Sequence, residues 1–253
     1  MKEKINVVVV SYLNTLPFIH GIMNDKDLMS QINLRLEYPS KCSDLLKSGE
    51  VDLGLIPIIE LIDMPYSEII GEYCIGAEGK VKTVMLYSNC PLNEITSIAL
   101  DYQSRTSVML VKILAKNFWK IDVEFFDADE DYIDGISNNN AGLVIGDRTF
   151  NLKDSFLYQY DLAEEWFKYT NLPFVFACWV ANKSLSDEFK QQFGYALKYG
   201  LDHKALIVDE YTKNQNTNID LERYLSTYIS WDFDSQKKAG LKKFLSLSRK
   251  FIM

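Results

Sequence analysis

The sequence predicts an α/β protein of two lobes, the second inserted in the first. Three observations predict it. Short apolar runs alternate with stretches of helical periodicity. That alternation restarts after Pro91, as a second unit of the same kind would. Two apolar strands, near 81–86 and 174–180, stand where a chain would leave a first lobe and return to it. The expected boundaries are 1–82 with 176–253 for lobe one and 83–175 for lobe two. The crossover strands then form a hinge, and the cleft between lobes is the expected site.

The elements follow in order. Val7 to Val10 belong to a first strand starting at Ile5. Pro17 suits the first turn of a helix that reaches Asn24. Ile32, Leu34, Leu36 and Tyr38 alternate as a strand does, and Ser40 can cap a helix that ends at Gly49. "VDLGLIPI" is a third strand. Strand and helix alternating at this spacing imply parallel pairing. "GKVKTVMLYS", 79–88, is the next strand, followed by "ITSIAL" and a helix "SRTSVMLVKILAKNFW" that places Val108, Val111, Leu114, Ala115 and Phe118 on one face. "DVEFF" and "AGLVIG" are two more strands, and residues 129–140 hold a short helix and loop with Ile133 and Ile136 inward. "DLAEEWFKYT" is helical until Pro173 stops it, and "PFVFACWVAN" is a buried strand. From Ser186 the pattern is helical to the end, broken by the polar connector "KNQNTN" at 213–218.

Composition narrows the function classes. The chain has 253 residues with 27 basic and 35 acidic side chains, a net charge of −8. That field disfavours a general nucleic-acid or anionic-membrane surface, yet a local site can still take a small anion. The four cysteines form no CxxC pair and read as buried free thiols of a reducing compartment. The two histidines are far apart, so no metal site is expected. "INVVVV" is shorter than the roughly 7–15 apolar residues of a secretory signal, and no run nears the ~20 of a membrane span. A cytoplasmic location is expected.

Candidate residues sit where strands end. Ser11, Tyr12 and Asn14 follow the first strand, at the edge where open α/β sheets place ligand groups. Asn14 can equally be a turn residue bonding its own backbone. In "DYQSRTSVML", Ser104 can cap a helix whose first amides, with the hydroxyls of Thr106 and Ser107 and the charge of Arg105, would hold a carboxylate or phosphate. Plain capping and a surface arginine explain the same residues. Asp147, after Gly146, can pair with Arg148, cap the next helix or accept from a ligand hydroxyl. Thr83 is by default a β-branched strand residue, and Trp166 and Trp179 core aromatics. GxGxxG, GxxxxGK[ST], GxSxG and HExxH are all missing.

"SYLNTLPF", "GEVDLGLIPI", "GKVKTVMLYS", "SRTSVML", "IGD" and "DLAEEWFKYTNLPFVFACWV" together resemble, in order and over roughly residues 5–182, the chorismate dehydratases that open the futalosine route to menaquinone. The resemblance implies the two-lobed fold of type II periplasmic binding proteins without the export signal. It implies a cofactor-free dehydration of chorismate to 3-[(1-carboxyvinyl)oxy]benzoate. It places Asn14 beside the reacting carbons and gives the Thr83 hydroxyl and the Ser104–Ser107 helix start to the substrate. Two departures stand out: Thr83 where the family has serine, and Ala163 where it often has glycine. The competing class is a cytoplasmic module that binds a small organic acid without chemistry.

Overall fold

The computed structural model describes residues 4–152, 154–214 and 219–252. They form two compact units. One runs up to Ile75 and resumes over Ala177–Asp234; the other spans Gly76–Phe176 and Ser235–Met253.

The first unit opens with β1 (Ile5–Val10), whose last four valines are buried. A 3-10 turn (Leu13–Thr15) leads into α1 (Leu16–Asn24), with Pro17 in the first turn as expected. α2 (Lys26–Gln31) is capped by the Asp25 carboxylate, which accepts from the Leu28 amide, and β2 (Ile32–Glu37) follows. α3 (Pro39–Ser48) starts a residue before Ser40, so Ser40 is a buried helical residue and not the cap. Its end matches the expectation, with Gly49 left-handed at φ 78. β3 (Leu53–Pro57) is buried along its whole length. β1 pairs in parallel with both β2 and β3, the arrangement the strand–helix alternation predicts.

The chain leaves this unit by β4 (Glu68–Ala77), a strand the sequence pattern had not singled out. The 79–88 segment is therefore not the crossover. Its strand, β5 (Val84–Ser88), lies inside the second sheet. That unit continues with β6 (Ser97–Leu100), α4 (Arg105–Leu114), β7 (Glu124–Asp127), β8 (Asn140–Ile145), β9 (Tyr158–Asp161) and α5 (Leu162–Thr170). The sheet order is β7-β6-β8-β5-β9, with β6 parallel to β7 and β8, and β5 antiparallel to β8 and β9.

The return strand is the expected one. β10 (Phe174–Ala181) ends antiparallel to β3, and α6 (Asp187–Asp202), α7 (Lys204–Asn214), α8 (Leu221–Arg223) and β11 (Ser230–Asp232) complete the first unit. Its sheet reads β11-β4-β10-β3-β1-β2. Most of the expected 213–218 connector lies outside the described residues. α9 (Ser235–Ile252) belongs to the second unit, whereas the sequence boundaries put it in the first. The reason is aromatic packing: Phe244 of α9 meets Trp166 edge-on at 6.1 Å and Phe174 at 5.1 Å.

Each unit has its own tryptophan core. Trp179 packs edge-on against Phe18 (5.9 Å) and Phe193 (4.8 Å). α1 and α6 come closer than side chains normally allow. A Cβ on Gly21 would lie 1.9 Å from the Ala196 carbonyl oxygen, and one on Gly200 1.7 Å from that of Pro17. Only glycine fits at either place.

Candidate functional site

The β1 turn carries Ser11, Tyr12 and Asn14. Ser11 is exposed, and its amide donates to the Glu37 carbonyl at 3.0 Å, carrying the β1–β2 ladder one step further. Tyr12 is half-buried, with extended backbone before the 3-10 turn. The turn is pinned from inside by Thr15, which is fully buried. Its hydroxyl reaches the carbonyls of Val10 (2.5 Å) and Tyr12 (2.7 Å), and its amide donates to Tyr12 at 3.0 Å. The Trp231 indole N–H donates to the Asn14 carbonyl at 3.4 Å. The backbone of Asn14 is thus held while its Oδ1 is buried and, among the described residues, meets no donor. A turn residue serving its own backbone would spend that oxygen; this one keeps it. An acceptor withdrawn from water without a partner costs about 1–3 kcal/mol, which a fold tolerates where the group has another use.

The second unit gathers the other candidates at one end of its sheet. β6 and β8 run parallel and β5 antiparallel, so the ends of β6 and β8 meet the start of β5. Ser104 caps α4: its Oγ accepts from the Ser107 amide (3.1 Å) and donates to the Ser107 hydroxyl (2.8 Å). Ser104, Thr106 and Ser107 are buried, and Arg105 is half-buried. Asp147 is half-buried in the first turn of a 3-10 segment (Gly146–Leu152). Thr83 is buried just before β5, not on a crossover strand. Its carbonyl accepts from the Gly146 amide at 2.9 Å, which ties it to the Asp147 turn.

Two carboxylates that the sequence reading passed over organise this end. Asp101, only 1% exposed, follows β6. Its Oδ1 accepts from the Gln103 amide at 2.9 Å. Its Oδ2 accepts from the Ile145 amide (2.9 Å), the Tyr132 hydroxyl (3.0 Å) and the Arg148 guanidinium (2.5 Å). Burial, and then the Asp101 charge, push the Tyr132 phenol well above its ordinary pKa. Asp161 caps α5 through Oδ1, which accepts from Ala163 (3.1 Å) and Glu164 (3.3 Å). Burial raises its carboxyl pKa, and the backbone amides oppose that rise. A signal for Asp161 was present: an aspartate ahead of a helix with glutamates in its first turn is a cap signature. For Asp101 only the turn-type bond to Gln103 is local; the Oδ2 partners that make it an organiser come from distant segments.

No cluster of metal-ligating side chains occurs among the described residues, and no described helix is long and apolar enough to cross a membrane. All four cysteines are free and buried.

Two mixed sheets joined by crossover strands, with polar groups at strand ends and a helix start, define a protein of the periplasmic-binding-protein fold. Protein AF1704 of Archaeoglobus fulgidus has a similar structure, with a TM-score of 0.75 at 17% identity over 100% of this chain and 99% of that one. The aliphatic sulphonate binding protein SsuA of Escherichia coli matches with a TM-score of 0.64 at 14% identity, over 100% and 88%. At such identities these likenesses concern the fold alone. Sequence goes further: the chain belongs to the menaquinone biosynthesis family, whose model matches residues 5–250. Two relatives are chorismate dehydratases. That of Campylobacter jejuni is 28% identical over 245 residues, 93% of this chain and 94% of the relative. That of Thermus thermophilus is 28% identical over 161 residues, 56% of this chain and 58% of the relative.

Proposed function

We propose that the chain catalyses the dehydration of chorismate to 3-[(1-carboxyvinyl)oxy]benzoate, the entry reaction of the futalosine route. The observation that carries the reading is the Asn14 acceptor, buried and without a donor among the described residues, in the turn that follows the interior strand β1. A hydroxyl donor from a substrate would complete it. The family and the Campylobacter relative supply the name of that substrate class.

The chemistry suits an uncharged site. Chorismate loses the C4 hydroxyl and the C3 proton, and the ring becomes aromatic. The protein must grip two carboxylates and orient the departing hydroxyl. In this reading Asn14 accepts from the C4 hydroxyl with its oxygen and donates with its amide nitrogen to charge that develops on oxygen. The Ser104–Ser107 helix start, with Arg105, takes one carboxylate. Thr83 adds a hydroxyl, and Ser11, Tyr12 and Asp147 border the substrate. The proton acceptor is the substrate's own enolpyruvyl carboxylate, because the candidate residues offer no histidine and only Asp147 as a carboxylate. The C3–H electrons enter the ring, the C–O bond at C4 breaks, and the proton and hydroxide leave as water. No redox partner is required. The reading includes a cytoplasmic location, where chorismate is made available by metabolism.

The direct test incubates the purified protein with chorismate. Loss of the cyclohexadiene absorbance and appearance of the substituted benzoate are expected. Binding of chorismate without product would overturn the enzymatic reading and place the chain with binding modules.

A further inference from the structure

Thr83 follows Lys82, whose backbone lies at φ 68, a left-handed conformation that residues with side chains seldom adopt. Something must hold this turn, and the contacts show what. The Asp161 Oδ2 accepts from the amides of Val81 (2.9 Å) and Lys82 (2.8 Å), while its Oδ1 caps α5. The backbone of Asp161 pairs with Met85, two residues beyond Thr83 in β5. The carboxylate therefore grips the turn just before Thr83 while its own backbone grips the strand just after it.

The grip reaches the hydroxyl through one rigid group. The Lys82 N–H and the Val81 carbonyl belong to the same planar peptide unit. The Thr83 hydroxyl lies 3.5 Å from that Val81 carbonyl oxygen. Fixing the N–H end of the plane fixes the carbonyl end against which the hydroxyl is set. Asp161 is 4% exposed, so solvent does not compete for the clamp.

We propose that Asp161 is a positioning residue for the Thr83 hydroxyl, acting through the Val81–Lys82 peptide plane. The proposal rests on the assignment of Thr83 to the chorismate site. Displacement of a site group by about 1 Å costs on the order of 10²-fold in rate, so a lost clamp has a kinetic signature apart from stability.

The test is a double-mutant cycle on chorismate turnover. Asp161→Asn keeps the size and one acceptor but cannot serve all four amides. It should lower kcat/KM at least about tenfold, as should Thr83→Val. The decisive arm is Asp161→Asn in the Thr83→Val background, where the further loss should stay within about twofold. A purely structural Asp161 would give the same fold-loss in both backgrounds, and that additivity overturns the proposal. So does normal turnover in Thr83→Val. If Asp161→Asn does not fold, the same cycle run with Asp161→Ser, which can still cap α5 with its hydroxyl but is too short to grip the Val81–Lys82 turn as well, decides between the same outcomes. A wild-type protein inert toward chorismate would instead overturn the functional assignment, before any variant is made.

Discussion

The carboxylate of Asp101 holds the guanidinium of Arg148 at 2.5 Å, with the aspartate fully inside and the arginine side chain 29% exposed. The pair closes the gap between the end of β6 and the end of β8, where the candidate binding groups of the second unit stand. The same oxygen takes the Ile145 amide and the Tyr132 hydroxyl. Removing it takes the acceptor from the buried Ile145 amide and the counter-charge from Arg148, while the Tyr132 hydroxyl keeps the Leu143 carbonyl at 2.5 Å. Asp101→Ala should therefore cost about 3 kcal/mol or more in urea unfolding, the scale for an uncompensated buried partner. A loss below about 1 kcal/mol, the range of exposed pairs, would show that the network is replaceable by solvent.

Asn14 predicts a divergence between stability and rate. Its Oδ1 is buried and meets no donor among the described residues, so truncation removes a cost as well as a group. Asn14→Ala should melt at the wild-type temperature or above it, yet turn over chorismate about 10²-fold more slowly, the scale for losing one aligned polar group. Parallel calorimetry and steady-state kinetics check both halves. Near-normal turnover would remove Asn14 from the catalytic role.

Asp147 tests where the proton goes. With the substrate carboxylate as base, Asp147→Asn should keep turnover within about tenfold of wild type, below the 10²–10⁴ of a lost general base. Abolished turnover with chorismate binding intact would make Asp147 the base.

The pattern of legible and illegible features has a physical basis. β1, β3 and β10 were readable because they are buried on both faces and so are continuous apolar runs. β4 escaped because only its second half is a continuous buried run, and the exposed Gly71–Glu72 pair, with Gly71 at positive φ, interrupts the first. The Ser104 cap was legible, since its partner Ser107 is three residues away. Local bonds of this kind are written in spacing. Asp101 with Arg148, Asp161 with Val81, and Trp231 with Asn14 join distant segments, and spacing carries no trace of them. The place of α9 was misread for the same reason: helical periodicity shows which face is buried, not against which unit.

The cysteines give a prediction about chemistry that should not happen. Burial pushes the Cys42 thiol up to about 12 and the Cys178 thiol well above its ordinary value. The thiolate is the reactive form, so neither group ionises appreciably at pH 8. Cys74 is also fully buried. A thiol reagent at pH 8 should label Cys42, Cys74 and Cys178 only at the rate of unfolding, and all four cysteines promptly in denaturant. Rapid labelling of Cys178 in the native protein would contradict its placement.

Gly21 and Gly200 face one helix contact from opposite sides. A methyl on either would strike backbone oxygen, of Ala196 in one case and of Pro17 in the other, and backbone cannot swing aside as a side chain can. α1 and α6 must then separate. Each single alanine should cost about 1–3 kcal/mol, the usual scale of overpacking, or more. Once the helices have parted for one methyl, the second finds space already open. The double variant should lose clearly less than the sum of the singles, by more than the ~0.5 kcal/mol scatter of independent sites. Because α1 starts directly after Asn14 and Thr15, the separation should also slow chorismate turnover. Urea unfolding of the four proteins measures the coupling. Strict additivity would mean that the two glycines relieve separate contacts and that the helices shift independently at each.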